Sequence, residues 1–238
     1  MKALRTKICA YAVVLFAGLG LATTPSMAGS SDFAGVTFAL HASVNGIGLH
    51  GSHTDSNEEV TRGMVGSFAP AGGAEIGVNI PLGDVFFMGI GVSQIGGNGT
   101  AVFEGDDFGD KNDFQVIAKN IRTWYIQPTV SLWDNSAVYV KIGNTDGQLD
   151  FYDQTGMEIC DGDDLCGLSG RTYAVGTTTI ANNGLFIKTE AGATQYDQIK
   201  VEGLTNAGDD DSNDSEAKSS VEGHPMVAYG SITIGWKF

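Results

Sequence analysis

The sequence predicts an all-β chain, an eight-stranded antiparallel up-and-down transmembrane β-barrel with long extracellular loops. Three observations predict it. Apolar and polar residues alternate with period two over eight stretches of about ten residues, a length that crosses a bilayer when tilted. The connections alternate between tight turns and long acidic segments. The chain opens on an export signal and closes on an aromatic residue. Composition agrees. The 238 residues carry 34 glycines, 28 acids and 13 bases, a net charge of -15. Such acidity excludes a nucleic-acid partner, which needs a basic face. A hydrophobic share of 42% excludes an acidic disordered tail.

Residues 1–28 read as a cleaved leader and residues 29–238 as one barrel domain. Lys2, Arg5 and Lys7 form the positive start, residues 8–22 the apolar core, and Ser26-Met27-Ala28 a small-x-small site with cleavage after Ala28. The apolar core is short for a membrane anchor. Removing the leader takes away three bases and no acids. The mature chain then has ten bases against 28 acids, a net charge of -18. It keeps Cys160 and Cys166, an even pair in an exported chain and therefore an expected disulfide. Closing so small a loop stabilises by about 2 kcal/mol on the chain-entropy estimate.

The strands follow in order. Val36, Phe38, Leu40, Ala42 and Val44 share one phase of the first. Ile76, Val78 and Ile80 mark the second. Phe86, Met88, Ile90 and Val92 mark the third. Trp124, Ile126, Pro128, Val130 and Leu132 mark the fourth. Val138, Val140 and Ile142 mark the fifth. Arg171 to Ala181 is the weakest, because Thr177 to Thr179 blur the phase. Leu185, Ile187, Thr189, Ala191 and Ala193 mark the seventh. Ala228, Gly230, Ile232, Ile234, Trp236 and Phe238 mark the last. Pro81-Leu82-Gly83-Asp84, Trp133-Asp134-Asn135-Ser136 and Asn182-Asn183-Gly184 suit tight turns. The other four connections are read as loops over residues 51–72, 96–120, 144–170 and 197–225, with residues 100–104 and 114–119 as candidate extensions of strands three and four. These four segments hold 23 of the 28 acids. Charge is thereby kept off a lipid-facing wall, where it costs a few kcal/mol at the midplane.

In a membrane barrel the small and polar phase fills the lumen. That phase holds Glu75, Gln127, Lys141, Lys188, Glu190 and Lys237. A soluble barrel would instead turn these residues to solvent; the export signal and the closing aromatic favour the membrane. Charges inside so narrow a barrel must pair. The expectation is a lumen polar network in which Glu75 and Glu190 accept from Lys141, Lys188 or both, serving as a plug or, alternatively, as a gate. Arg122 and Arg171, at strand starts on the loop side, are expected at the rim.

The segment Ser231-Ile232-Thr233-Ile234-Gly235-Trp236-Lys237-Phe238 ends on Phe with apolar residues at every second position. It resembles the closing strand of bacterial outer-membrane barrels, and the resemblance implies that Ile234, Trp236 and Phe238 form the signal read by the barrel-assembly machinery. The whole mature chain resembles the small eight-stranded outer-membrane β-barrel family that includes the OmpA transmembrane domain and OmpX-like proteins. Val138-Tyr139-Val140-Lys141-Ile142-Gly143 looks like that family's fifth strand and Lys188-Thr189-Glu190-Ala191 like its seventh. The chain stops at Phe238, so no C-terminal periplasmic domain and no peptidoglycan-tethering role is expected.

Other chemistries are weaker. His41 and Ser43 share the lumen phase, His50 and His53 fall in the first loop and His224 near the end of the fourth, with no acid beside the His–Ser pair in sequence. No enzyme activity, catalytic residue or cofactor is expected. The acidic runs at residues 161–164 and 209–216 lack the glycine and helices of a calcium-binding hand and read as solvated loop tips, so no metal site is assigned. Gly46-Ile47-Gly48 and Gly89-Ile90-Gly91 precede no helix and are read as relief of lumen crowding or as curvature points, not phosphate loops. The expected function is an outer-membrane surface protein of structural or interaction type with acidic extracellular loops; the alternative is a narrow porin-like channel for small solutes or ions. The expected partners are outer-membrane lipid and lipopolysaccharide, the assembly machinery during insertion, and an extracellular ligand bound through the loops. The expected location is the bacterial outer membrane, loops at the cell surface.

Overall fold

A computed structural model describes residues 29–54, 60–96, 115–133, 135–152, 167–202 and 220–238. The leader, Cys160 and Cys166, residues 100–104, and the acidic runs at 161–164 and 209–216 lie outside the described residues. A short 3-10 turn, Ser30–Phe33, precedes β1 (Gly35–Thr54), β2 (Val60–Pro81), β3 (Phe86–Gly96), β4 (Gln115–Trp133), β5 (Ser136–Tyr152), β6 (Gly167–Ile180), β7 (Leu185–Tyr196), β8 (Ile199–Glu202) and β9 (Ser220–Lys237). All neighbours are antiparallel, and β9 pairs with both β7 and β1. The sheet is therefore closed. Eight strands, β1 to β7 and β9, make the barrel wall. The short β8 continues the line of β7 along β9, from Ile199 opposite Gly223.

The wall is inside-out relative to a soluble barrel. Val36, Phe38, Leu40 and Val44 on β1, Ile76 on β2, Trp124 and Ile126 on β4, and Ile232, Ile234 and Trp236 on β9 all point outward and are exposed. Glu75, Gln127, Lys141 and Lys188 point inward and are buried. The outward positions from Val36 to Val44, from Trp124 to Leu132 and from Met226 to Trp236 carry no charge. In water so large an apolar surface is an aggregation hazard; in hydrocarbon it is the stable arrangement. Closing the sheet pairs the wall strands with one another, so that the wall's peptide groups are satisfied largely without solvent. The architecture is that of the small outer-membrane β-barrels.

The tight turns form where the sequence places them, and the long connections do not keep their expected bounds. Pairing of β1 with β2 continues from Gly35 opposite Asn79 to Thr54 opposite Val60, so most of the expected loop at 51–72 is strand. Likewise β5 runs to Tyr152, β6 begins at Gly167, β4 begins at Gln115, and β9 begins at Ser220. Beyond the apolar band a strand has no lipid to face. Its alternation in hydropathy fades while its ladder of hydrogen bonds continues. Asp146 and Glu222, counted above as loop acids, stand on strands. β6, whose phase the threonines blur, alternates without a break, burying Thr172, Ala174, Thr178 and Ile180.

Candidate functional site: a filled lumen

The mouth at the tight-turn end of the barrel is closed from within. The Ser30–Phe33 turn folds under the wall and inserts Phe33, whose ring stacks on Phe87 at 5.0 Å and 12°. Ala39, Ala137, Ile180 and Phe186 complete this apolar layer. Four hydrogen bonds hold the turn. The Ser30 amide donates to the Asp84 carbonyl at 2.7 Å and its hydroxyl to the Gly83 carbonyl. Asn79 Nδ2 donates to the Phe33 carbonyl at 3.0 Å, and Lys237 Nζ to the Asp32 carbonyl at 2.8 Å. Thus Lys237 serves the mouth rather than the centre of the lumen.

Above this layer the structure brings Glu75, Lys141, Lys188 and Glu190 together. Lys188 Nζ lies 2.6 Å from Glu75 Oε1. Lys141 Nζ lies 3.2 Å from Glu75 Oε2 and 2.7 Å from Glu190 Oε2, bridging the two acids. All four side chains are at most 8% exposed. Two acids and two bases balance, which is the condition for keeping ions in a dry interior. The tyrosines complete the valences: Tyr139 and Tyr229 each donate a hydroxyl hydrogen bond to Glu190, at 2.9 and 2.8 Å. Lys141 Nζ also sits 4.4 Å from the centre of the Tyr125 ring.

These aromatics were not singled out by sequence reasoning, yet a signal for them exists. Each pairs directly with a glycine in register: Tyr125 with Gly91, Tyr139 with Gly176, Tyr229 with Gly192, and Phe186 with Gly235. A Cβ on Gly176 would fall 2.5 Å from the Tyr139 ring, and one on Gly192 2.7 Å from Tyr229. The inward glycines are therefore seats for rings that cross the lumen. Gly89, also inward, faces Asn79 and Gln127 instead of a ring; Gly91 belongs to this set. Gly46 and Gly48 do not, since both lie on the outward phase of β1, where the Phe68 ring covers Gly46.

A third layer is a row of hydroxyls across four strands. Thr123 meets Thr145 at 2.8 Å, Thr145 meets Thr172 at 2.6 Å, and Thr172 meets Thr194 at 2.7 Å. Ser43 accepts from Asn45 and donates to the Ala71 carbonyl, rather than engaging His41. The His41 ring instead lies against Gly73. Among the described residues, no group of three or more His, Cys, Asp or Glu side chains is placed to hold a metal ion. Arg122 and Arg171 stand outward, exposed, at the loop-side rim. Ile234, Trp236 and Phe238 share the outer face of the closing seam, where the Phe238 amide donates to the Val36 carbonyl at 2.9 Å.

The chain is similar to the crystal structure of Ail, the attachment invasion locus protein of Yersinia pestis, at 10% identity, over 81% of this chain and 97% of that one, with a TM-score of 0.36. It is similar to Neisserial surface protein A at 10% identity, over 83% and 97%, with a TM-score of 0.38. It is also similar to the outer-membrane protease OmpT of Escherichia coli at 8% identity, over 92% and 99%, with a TM-score of 0.42. No family model and no curated protein matches the sequence.

Proposed function

We propose that the protein is a non-conducting surface barrel of the bacterial outer membrane whose work is done by the strands and loops that rise above the apolar band. The observation that carries this reading is a contrast between the two ends. An aromatic layer and an ionic layer cross the lumen, which supports a closed barrel. At the other end β1, β2 and β9 continue together through ladders ending at Thr54, Val60 and Ser220. Among the described residues, no strand pairs with the second edge of β2 beyond Gly72, where β3 stops.

The closing residues Ile234, Trp236 and Phe238 fit a signal for the assembly machinery, because all three present exposed apolar surface on one outer face. Barrel reconstitution in planar bilayers tests the closed lumen. Silence is expected, and stepwise conductance from the wild-type chain would favour the porin-like channel instead. Cell-surface proteolysis of intact bacteria tests the orientation: cleavage beyond the apolar band at the loop end is expected, and protection of that end would reverse the topology.

A further inference from the structure

We infer that the outer wall carries a copper(I) site above the apolar band, built from His50 of β1, Met64 of β2, and His224 and Met226 of β9. In the sequence these residues are far apart, with His50 at the first expected loop and His224 near the end of the fourth. Register brings them together. His50 stands directly opposite His224 on one side and Met64 on the other. Met226 follows His224 on the same phase of β9, one row nearer the band.

The pleat fixes the face. The ladder of β1 with β2 runs from Gly35 to Thr54, and that of β1 with β9 from Thr37 to Thr54, both without a bulge. The alternation set in the band therefore carries on above it. Even-numbered positions are the outward ones on all three strands, as at Val36 and Val44, at Phe68 and Ile76, and at Ile232 and Ile234. His50, Met64, His224 and Met226 all fall on that phase. His224 is exposed, and Met226 is 52% exposed. The rest of the Met226 row on β1 and β2 is Gly48 and Gly66. A Cβ on Gly48 would have the Met226 carbonyl oxygen as its nearest neighbour, at 4.0 Å. The sheet beside the histidine row is therefore bare backbone with open space above it.

The donor set selects the ion. Directly opposed positions on one face have Cβ atoms about 4.5–5.5 Å apart and diagonal ones about 7–8 Å, spans that imidazole and thioether side chains can close onto one ion. Calcium and magnesium want oxygen, whereas thioether sulfur is soft and suits copper(I). The two methionines supply what a harder site would take from a third His, Cys, Asp or Glu. All four donors are neutral. A monovalent ion therefore leaves a single positive charge beside the apolar band, half of what a divalent ion would leave. Glu222, the next residue of that phase on β9, accepts from Gln198 Nε2 at 3.1 Å and sets a carboxylate near the ion. The assignment rests on strand register and does not depend on a closed lumen.

The test uses the mature barrel folded in detergent, with Cys160→Ser and Cys166→Ser as the background so that no thiol holds the ion. It is titrated without oxygen with copper(I) against bicinchoninate, a coloured copper(I) chelator. The barrel is expected to withdraw one copper(I) from the chelator. The double variant His50→Ala, His224→Ala is expected to bind roughly 100-fold more weakly, at the upper end of what loss of a mere supporting partner costs a metal site. Met64→Leu, Met226→Leu is expected to weaken copper(I) while leaving any zinc binding unchanged, because zinc gains little from a thioether. His41→Ala, inside the lumen, is expected to change nothing. Every variant should keep its barrel circular dichroism and its heat-modifiable gel shift, since the ladder is made by backbone. No withdrawal of copper(I), undiminished affinity in either double variant, zinc held as tightly as copper(I), or equal loss in His41→Ala would each overturn the site. None of these outcomes touches the closed-lumen reading, which bilayer recording tests separately.

Discussion

Lys141 Nζ is held between two carboxylates from distant strands, 2.7 Å from Glu190 of β7 and 3.2 Å from Glu75 of β2. Neither strand is a neighbour of β5 in the sheet. The wall is closed by its ladder of hydrogen bonds, and this ion set braces it a second time, across the lumen. The lysine thereby joins both acids.

Removing it should therefore be costly. Lys141→Met leaves two carboxylates facing Lys188 alone, and a buried ion without its partner destabilises by about 3–5 kcal/mol. Urea unfolding in detergent micelles measures this. The double variant Lys141→Met, Glu190→Gln restores balance, with Glu75 and Lys188 still paired, and is expected to recover much of the loss. Equal stability of the single and double variants would mean that the acids are not coupled through Lys141.

Phe33 is the predicted keystone of the mouth at the tight-turn end. Phe33→Ala removes its stack on Phe87 and should cost about 3 kcal/mol in the same unfolding assay. Because the ionic layer lies above it, this variant is expected to remain silent in bilayers. Loss of stability without conductance would separate the two layers; conductance from Phe33→Ala would make the aromatic layer the seal.

Inward and outward glycines should respond differently. Gly176→Ala drives a methyl into the Tyr139 ring and is expected to cost about 1–3 kcal/mol. Gly230→Ala on the outer face meets nothing within 4 Å and should change stability by no more than about 0.5 kcal/mol. Similar effects of the two substitutions would contradict the assignment of faces.

The closing phenylalanine allows a test in cells. Phe238 is 78% exposed, so Phe238→Ala should leave refolding of the purified barrel unchanged. If the residue is a recognition signal, the same variant should reduce the amount of folded barrel in the outer membrane. A defect in both assays, or in neither, would contradict that role.

Much of this was legible from pattern alone. The lipid-facing band showed because hydrocarbon demands an apolar residue at every second position, as from Val36 to Val44. The four network ions showed because charges on the lumen phase are few. Strand ends did not show: beyond the band, residues such as Gly48 and Ser52 obey no lipid, so the hydropathy signal stops while the ladder continues. Phe33 was hidden because a single aromatic before the first strand has no periodicity to give it away. The tyrosines were hidden for a different reason. Their partners are glycines, and the pairing of Tyr139 with Gly176 depends on register, which a single strand does not carry.

Single-channel recording on the purified wild-type barrel tests the central claim most directly. The filled lumen predicts a silent bilayer at every holding potential, and silence again in Phe33→Ala. Reproducible conductance steps from the wild-type chain would contradict it, and would make the Glu75, Lys141, Lys188 and Glu190 set the constriction of a pore.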